Sequence, residues 1–190
     1  MIISKIGIMG AGTMGAGIAQ IAAQAGYQVI LNDIELSFVD KALSRMEASL
    51  SKSVEKGRMT EEQKQGILGQ VTKSADLSDF SAVDLAIEVI VEDLELKKKA
   101  FSQLESICKP EAYLASNTSS MPITILGNAT KRPERVVGMH FFNPPPVMKL
   151  VEIIRGYYTS DETVKLASEV AQKMGKTTVE VKRDVPGFIV

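Results

Sequence analysis

The stretch that decides the fold is Gly10-Ala11-Gly12-Thr13-Met14-Gly15, which matches the pattern G-x-G-x-x-G. It follows a short apolar run, residues 4–9, and opens a segment whose apolar residues recur at helical spacing. A second apolar run covers residues 27–32 and ends at Asp33. A glycine-rich turn between a strand and a helix, with an acidic residue after the next strand, predicts a dinucleotide-binding βαβ unit.

The chemistry of such a unit requires glycine at three positions of the turn. Gly10 allows a tight turn, Gly12 lets the backbone approach a pyrophosphate, and Gly15 lets the helix pack closely on the strand. The helix N-terminus attracts the anion. Asp33 could accept hydrogen bonds from both hydroxyls of an adenosine ribose and would repel a 2′-phosphate, which favours NAD over NADP. The alternative is a glycine-rich turn that binds nothing, with Asp33 as an ordinary loop carboxylate.

Strands and helices alternate along the rest of the chain. Apolar runs predict strands at 84–89, 113–116, 136–139, 150–154 and 177–182, and helical periodicity predicts helices at 94–107, 122–128 and 159–175. Residues 35–69 predict a helical hairpin that is broken at residues 56–58 and projects from the domain, with Thr60 and Gln63 forming a capping box. The predicted fold class is α/β: a Rossmann-like, doubly wound, mainly parallel sheet with a projecting hairpin.

Composition narrows the class of partners. With 45% hydrophobic and 24% charged residues, the 190-residue chain is typical of a folded soluble domain. Its net charge of -1 provides no field that would attract nucleic acid or an anionic membrane. No apolar run approaches the roughly 18 residues that cross a bilayer, so we expect a cytoplasmic protein. The only cysteine, Cys108, excludes an internal disulfide and is expected to be a small buried hydrophobe, and the only histidine, His140, excludes a histidine-rich zinc site.

Two polar clusters follow predicted strands, at residues 116–120 (Ser-Asn-Thr-Ser-Ser) and 139–144 (Met-His-Phe-Phe-Asn-Pro). The carboxyl ends of parallel strands form the ligand-binding edge of such a sheet. A dehydrogenase needs a base that titrates near neutrality, and His140 meets that need. Glu152, on the following strand, could bind the far imidazole nitrogen, and Ser119 could donate to or accept from the same substrate oxygen.

Each of these residues also has a structural explanation. His140 could be a structural histidine at a strand end. Ser116 or Ser119 could cap the helix that begins near residue 122. Glu152 could be a solvated strand residue.

Four segments together resemble the 3-hydroxyacyl-CoA dehydrogenase family, particularly its 3-hydroxybutyryl-CoA type. They are residues 8–20, 116–120, 140–144 and 184–190 (Asp-Val-Pro-Gly-Phe-Ile-Val), and the resemblance covers essentially the whole chain. The resemblance implies an NAD-dependent oxidoreductase that transfers a hydride to or from C3 of an acyl-CoA substrate.

The resemblance also implies roles for individual residues. It makes His140 the catalytic base, Glu152 its acidic partner and Ser119 the contact to the 3-oxygen of the substrate. Thr13 and Met14 join the three motif glycines and Asp33 in the cofactor site. Four residues belong to the nicotinamide half of NAD or its surroundings: Glu92, Lys97, Asn117 and Asn143. Lys52 and Lys56, on the hairpin, are implied contacts for the CoA phosphates.

In the family the Gly-Phe-Ile-Val stretch leads into an asparagine that holds the substrate carbonyl, and then into an all-helical dimerising domain. We therefore expect residues 1–184 to form the NAD-binding domain and residues 185–190 to begin a helical domain that is otherwise absent. The implied enzyme is a homodimer through that helical domain. The 190-residue chain alone is expected to bind NAD with little activity.

Other functions stay open at this point. Dehydrogenases of the 6-phosphogluconate and 3-hydroxyisobutyrate types share the N-terminal glycine pattern but use a lysine base, and residues 140–144 argue against them. A relative of the gulonate dehydrogenase and lens crystallin branch would act on a polyol or not at all. A third possibility is a non-catalytic NAD-binding module.

Overall fold

The computed structural model describes residues 2–185 of the chain. The strands in this range are β1 (Lys5–Met9), β2 (Gln28–Asn32), β3 (Val71–Ser74), β4 (Leu85–Glu88), β5 (Tyr113–Ser116), β6 (Val136–Phe141), β7 (Leu150–Ile154) and β8 (Thr177–Val181). The helices are α1 (Thr13–Gln24), α2 (Leu36–Glu55), α3 (Glu61–Gly69), α4 (Leu94–Ile107), α5 (Ile123–Gly127) and α6 (Asp161–Lys173). Short 3-10 turns cover Leu77–Ala82 and Pro133–Arg135.

All of these strands lie in one sheet, in the order β3-β2-β1-β4-β5-β6-β7-β8. Neighbouring strands are parallel except for β6 and β7, which are antiparallel. This arrangement confirms the predicted doubly wound, mainly parallel sheet. The chain leaves β1 toward β2 and β3 on one side and continues through β4 on the other. The carboxyl ends of β1 and β4 therefore flank a crevice of the kind in which such sheets bind ligands.

Helices cover both faces of the sheet. On one face α1, α2 and α6 pack against the strands, and Ala19 and Ala22 of α1 are both fully buried. Their small side chains let α1 lie close to the sheet. On the other face α4 and α5 enclose a second core around Phe80 and Phe101. The central strands are therefore apolar on both sides, which is typical of parallel sheets.

The helical hairpin consists of α2 and α3. Met46 and Leu50 of α2 are buried in the same core as α1, so the stem of the hairpin is anchored, and its most exposed turn is residues 55–58. The predicted capping box is confirmed: Gln63 N donates to Thr60 Oγ1 at 3.2 Å, and Thr60 N donates to Gln63 Oε1 at 2.9 Å. This cap fixes the start of α3 after the turn.

Strand β3 is the one strand that the sequence did not predict. It lies parallel to β2 at the edge of the sheet. Thr72 and Lys73 are exposed, and only Ser74 of the four residues is buried. The segment lacks an apolar run because an edge strand needs little apolar surface, so its pairing with β2 depends on the tertiary fold.

Cys108 is 5% exposed, which confirms that it is a small buried residue, and burial raises the pKa of its thiol to about 11.

In the part of the chain that the structure describes, no helix is both long enough and apolar enough to cross a membrane.

The last described residues of the chain contact helix α5. Asp184 Oδ2 accepts a hydrogen bond from Thr124 N at 2.6 Å, which ties the end of the described chain to the first turn of α5. The expectation that residues 185–190 begin a second domain lies outside the described residues, apart from Val185.

Candidate active site

The glycine-rich turn connects β1 to α1. Gly10 has a φ of +114°, a conformation that other residues rarely adopt. A Cβ atom on Gly15 would lie 1.8 Å from the Gly10 carbonyl oxygen, so only glycine fits there. A Cβ atom on Gly12 would meet no described atom within 4 Å, so the space beside the turn is open to a ligand. No described side chain caps α1, and its first turn holds no acidic residue, which suits an anion at this N-terminus.

Asp33 follows β2 and is held against this turn. Its Oδ2 accepts a hydrogen bond from Ala11 N at 2.7 Å, and its Oδ1 accepts one from Ile34 N at 2.8 Å. These bonds orient the carboxylate at the wall of a pocket of about 500 Å³. The pocket is lined by Met9, Gly10, Gly12, Asn32, Asp33, Ile34, Val89, Ile90, Val91, Leu96, Lys99, Ala100 and Gln103. Largely apolar walls with one oriented carboxylate match the needs of an adenosine.

A second pocket, of about 310 Å³, lies at the carboxyl ends of β4, β5 and β6. It shares Val89 and Ile90 with the first pocket, so the two are adjacent. Most of the predicted catalytic and nicotinamide-side residues meet here. The lining residues are Met14, Val89, Ile90, Glu92, Lys97, Asn117, Ser119, His140, Phe141, Phe142 and Asn143.

His140 and Glu152 form a pair across the antiparallel strands β6 and β7. The two residues are register partners in the sheet, so their side chains leave the same face. His140 Nδ1 lies 2.7 Å from Glu152 Oε2, and Glu152 is only 1% exposed. The ring of Phe142 packs against the imidazole with 4.6 Å between centroids. The carboxylate therefore engages Nδ1, and Nε2 is the ring nitrogen on the side away from Glu152.

Asn117 connects the ends of β5 and β6. Its Oδ1 accepts a hydrogen bond from Phe141 N at 2.9 Å. Because the amide oxygen is used in this way, the amide nitrogen is the group that Asn117 can present to a ligand in the pocket. Asn143 lies three residues beyond His140 on the same wall, and the Asn143-Pro144 peptide is cis.

Glu92 holds the turn that carries Ser119. Its Oε1 accepts hydrogen bonds from Ser119 N and Thr118 Oγ1, each at 2.8 Å, and lies 3.3 Å from Ser119 Oγ. Burial alone would raise the pKa of Glu92, but these bonds and the Lys97 ammonium lower it below its ordinary value. Glu92 is therefore an anion that orients the Ser119 backbone and hydroxyl.

Glu88 and Ser116 also contact the residues around Lys97 and Ser119. Sequence reasoning did not assign a role to Glu88, and it considered Ser116 only as a possible helix cap. Glu88 is the last residue of β4 and is fully buried, with its Oε1 2.6 Å from Lys97 Nζ. Ser116, also fully buried, donates to Glu88 Oε2 at 2.7 Å. One signal was available: a carboxylate interrupts the otherwise apolar run of residues 85–91, near the edge where such sheets bind ligands.

Lys176 holds the loop that follows Asn143. It is 8% exposed, and its Nζ donates to Met148 O at 2.8 Å and to Pro145 O. Burial lowers the pKa of Lys176. The ring of Pro145 lies against Gly17 of α1, where a Cβ atom would come within 2.8 Å of it. These contacts fix the loop between Lys176, which directly precedes β8, and helix α1.

Three further predicted site residues line neither pocket. Thr13 is the first residue of α1, beside the open space at Gly12. Lys52 lies in the last turn of α2, and Lys56 is its C-cap residue. Both lysines are exposed on the hairpin, and neither lines the two pockets described above.

The residues present fit a nicotinamide dinucleotide. The first pocket has the walls and the carboxylate for an adenosine, and the turn at Gly12 leaves space for a pyrophosphate. The second pocket collects amide, hydroxyl and charged groups suited to a carboxamide. The shared residues Val89 and Ile90 join the two halves.

A family model and two relatives match this chain over nearly its whole length. The family model described as "3-hydroxyacyl-CoA dehydrogenase, NAD binding domain" matches residues 5–185. A probable 3-hydroxybutyryl-CoA dehydrogenase of Deinococcus radiodurans is 49% identical over 185 residues, which are 97% of this chain and 66% of that protein. The corresponding Bacillus subtilis protein, of the same description, is 46% identical over 100% of this chain and 66% of its own length.

A solved structure has the same fold as this chain. The (S)-3-hydroxybutyryl-CoA dehydrogenase of Ralstonia eutropha superimposes with a TM-score of 0.97 and 42% identity, over 100% of this chain and 66% of that one. The chain thus spans just under two thirds of the length of these three relatives. The family match covers nearly the whole sequence, and the chain belongs to the 3-hydroxyacyl-CoA dehydrogenase family, whose NAD binding domain it represents.

Proposed function

We propose that the protein containing this chain interconverts a 3-hydroxyacyl-CoA and a 3-oxoacyl-CoA with NAD, as with 3-hydroxybutyryl-CoA and acetoacetyl-CoA. The observation that carries the proposal is the His140–Glu152 pair in a pocket that adjoins the adenosine pocket. Relatives named 3-hydroxybutyryl-CoA dehydrogenase support the choice of substrate.

In the oxidation direction His140 acts as the general base. Its Nε2 takes the proton of the 3-hydroxyl, and the Glu152 carboxylate at Nδ1 fixes the tautomer and stabilises the imidazolium that forms. NAD, when bound, supplies the acceptor for the hydride that leaves C3. In the reverse direction the imidazolium returns the proton to the 3-oxygen.

Ser119 contacts the same 3-oxygen through its hydroxyl. The Glu92 carboxylate beside it keeps the hydroxyl and the backbone N–H of Ser119 in place. Asn117, Asn143 and Lys97 supply polar contacts to the nicotinamide half of the cofactor from the same pocket. Thr13 and Met14 complete the cofactor site at the start of α1.

Lys52 and Lys56 bind the CoA phosphates. Both ammonium groups are exposed on the hairpin, and they are four residues apart, which places them on one side of the helix end. A flexible lysine at an exposed site can follow a phosphate without being preorganised.

The relatives contain a further third of sequence that this chain does not cover. We propose that it forms a helical domain, beginning near residue 185, that closes the cleft over the thioester and mediates homodimer formation. Without it, water stays beside Ser119 and His140, which weakens each hydrogen bond to the developing charge, and C3 is poorly held against the cofactor. The 190-residue chain should therefore bind NADH yet reduce acetoacetyl-CoA little or not at all.

The test compares this chain with the protein extended by that remaining third, using NADH and acetoacetyl-CoA. We expect similar NADH dissociation constants and turnover in the extended protein alone. Turnover of the 190-residue chain within about tenfold of the extended protein would refute the role of the added domain. No turnover by the extended protein, despite NADH binding, would favour a non-catalytic NAD-binding module.

A further inference from the structure

Glu88 is an acidic residue that has no contact with solvent. It is fully buried at the end of β4, and both of its carboxylate oxygens accept hydrogen bonds. Its Oε1 accepts from Ile90 N at 2.7 Å and from Lys97 Nζ at 2.6 Å, and its Oε2 accepts from Ser116 Oγ at 2.7 Å. Three donors from three segments compensate for the desolvation of this carboxylate.

Lys97 lies between two carboxylates that differ in exposure. Its ammonium is 2.6 Å from Glu88 and 3.1 Å from Glu92, and its side chain is 2% exposed. The Glu88 side chain is fully buried, whereas that of Glu92 is 42% exposed and also binds the turn at Ser119. Glu88 is thus the fixed partner of Lys97, and Glu92 is the partner that borders the pocket.

Glu88 itself does not line the described pocket, but its partners lead into it. Lys97 forms part of the wall, and Ser116 Oγ accepts a hydrogen bond from Thr118 N at 3.1 Å, one residue before Ser119. A single carboxylate therefore connects the first turn of α4 to the turn after β5.

We propose that Glu88 is a positioning residue for the nicotinamide side of the site. It sets the place of the Lys97 ammonium directly and the place of Ser119 through Ser116. This inference rests on the proposed function, because it assumes that the second pocket receives the nicotinamide and the substrate.

The physical cost of the arrangement supports a functional reason for it. A buried ion pair rarely stabilises a protein more than apolar side chains of similar volume do. An aliphatic residue could occupy position 88 of the sheet, just as Ile87 and Ala115 occupy fully buried positions beside it. What an aliphatic residue could not do is hold an ammonium group at the pocket wall.

The first test replaces Glu88 by Gln in the 190-residue chain and measures NADH binding by fluorescence titration. Glu88→Gln keeps the shape but removes the charge, so Lys97 is drawn toward Glu92 and away from its place. We expect the NADH dissociation constant to rise about tenfold, which corresponds to the loss of one hydrogen bond to a charged group. The matched control is Glu95→Gln on the same helix, which breaks an exposed pair with Lys98 and should leave NADH binding within twofold.

The second test separates positioning from stability. The double variant Glu88→Gln/Lys97→Met removes both charges, so its melting temperature should recover toward the wild-type value. Its NADH affinity should stay as weak as that of Lys97→Met. If Glu88→Gln does not fold, Glu88→Asp keeps the charge about one methylene further away, and it should fold with weakened NADH binding.

Several results would overturn the inference. They are wild-type NADH affinity in folded Glu88→Gln or Glu88→Asp, wild-type affinity in Lys97→Met, or recovery of both stability and affinity in the double variant. A wild-type chain that does not bind NADH would instead overturn the proposed function, and the inference with it.

Discussion

The replacement of Glu152 by Gln removes one charge from the centre of the proposed site without changing its shape. Glu152 is 1% exposed and lies on β7 opposite His140 on β6. A glutamine amide oxygen can still accept the Nδ1–H of the imidazole, so the ring should remain in place. What is lost is the negative charge that stabilises the imidazolium as the proton arrives.

The size of the effect follows from the distance between the two groups. His140 Nδ1 and Glu152 Oε2 are 2.7 Å apart, which places the centres of charge roughly 4 Å apart. At that separation two unit charges interact by about 4 kcal/mol with an effective dielectric constant near 20. Because each tenfold change in rate corresponds to about 1.4 kcal/mol, turnover should fall by about 10³-fold.

Two assays check this prediction. Steady-state reduction of acetoacetyl-CoA by the extended protein should show the loss in kcat, while the NADH dissociation constant of the 190-residue chain stays within twofold. His140 is the only histidine, so its ¹⁵N signals report without overlap which ring nitrogen carries the proton. We expect Nδ1–H in the wild type and a mixture of tautomers in the variant.

The matched control is Glu180→Gln. Glu180 lies on β8 next to β7 and pairs with Arg155 at 3.0 Å, but its side chain is 36% exposed. Salt and water screen such a pair, so its loss should leave turnover within twofold. A Glu152→Gln variant that keeps turnover within fivefold of the wild type would refute the assignment of His140 as a base supported by Glu152.

Three further predictions follow from the same structure. Asp33→Ala should weaken NADH binding and relax the preference over NADPH, because ribose hydrogen bonds and repulsion of the 2′-phosphate are lost together; equal NADH and NADPH affinities in the wild type would contradict this. His140→Gln should lower turnover of the extended protein by about 10²- to 10⁴-fold with little change in NADH affinity, whereas easier unfolding with turnover within twofold would make His140 structural. Burial alone would raise the pKa of Asp84, but the Lys109 ammonium and backbone N–H groups lower it from 3.8 to about 2. Asp84 therefore contributes about 2 kcal/mol that is present above pH 4 and lost as the pH falls toward 2, and Asp84→Asn should remove this dependence in denaturant titrations.

The sequence predicted most of the sheet because its central strands are continuous apolar runs. Those runs are short and continuous, which distinguishes them from the longer amphipathic helices between them. The cofactor turn was equally clear, since the glycines at 10, 12 and 15 act within a few residues of one another. Strand β3 was missed because its two exposed residues, Thr72 and Lys73, follow no apolar pattern.

The geometry of the second pocket depends on contacts between strands that are distant in sequence. Glu152 could be placed on the strand after His140, but not directly opposite it, because that position depends on the antiparallel register of β6 and β7. Glu88 could be seen as a polar residue at a strand end, but its partner Ser116 is 28 residues away. Local patterns predict elements, and only the order of strands in the sheet brings these side chains together.

That order also explains why the residues proposed to bind cofactor and substrate converge on one short segment, residues 88–92. This segment begins at the last residue of β4, beside the crevice between β1 and β4 where the strand order reverses. Val89 and Ile90 line both pockets. Glu88 binds the Lys97 ammonium on its buried side, and Glu92 binds Ser119 at the border of the second pocket. A dinucleotide seated on Val89 and Ile90 would therefore restrain the backbone that positions both Lys97 and Ser119. In the proposed site, the segment that would receive the cofactor also positions the proposed catalytic groups.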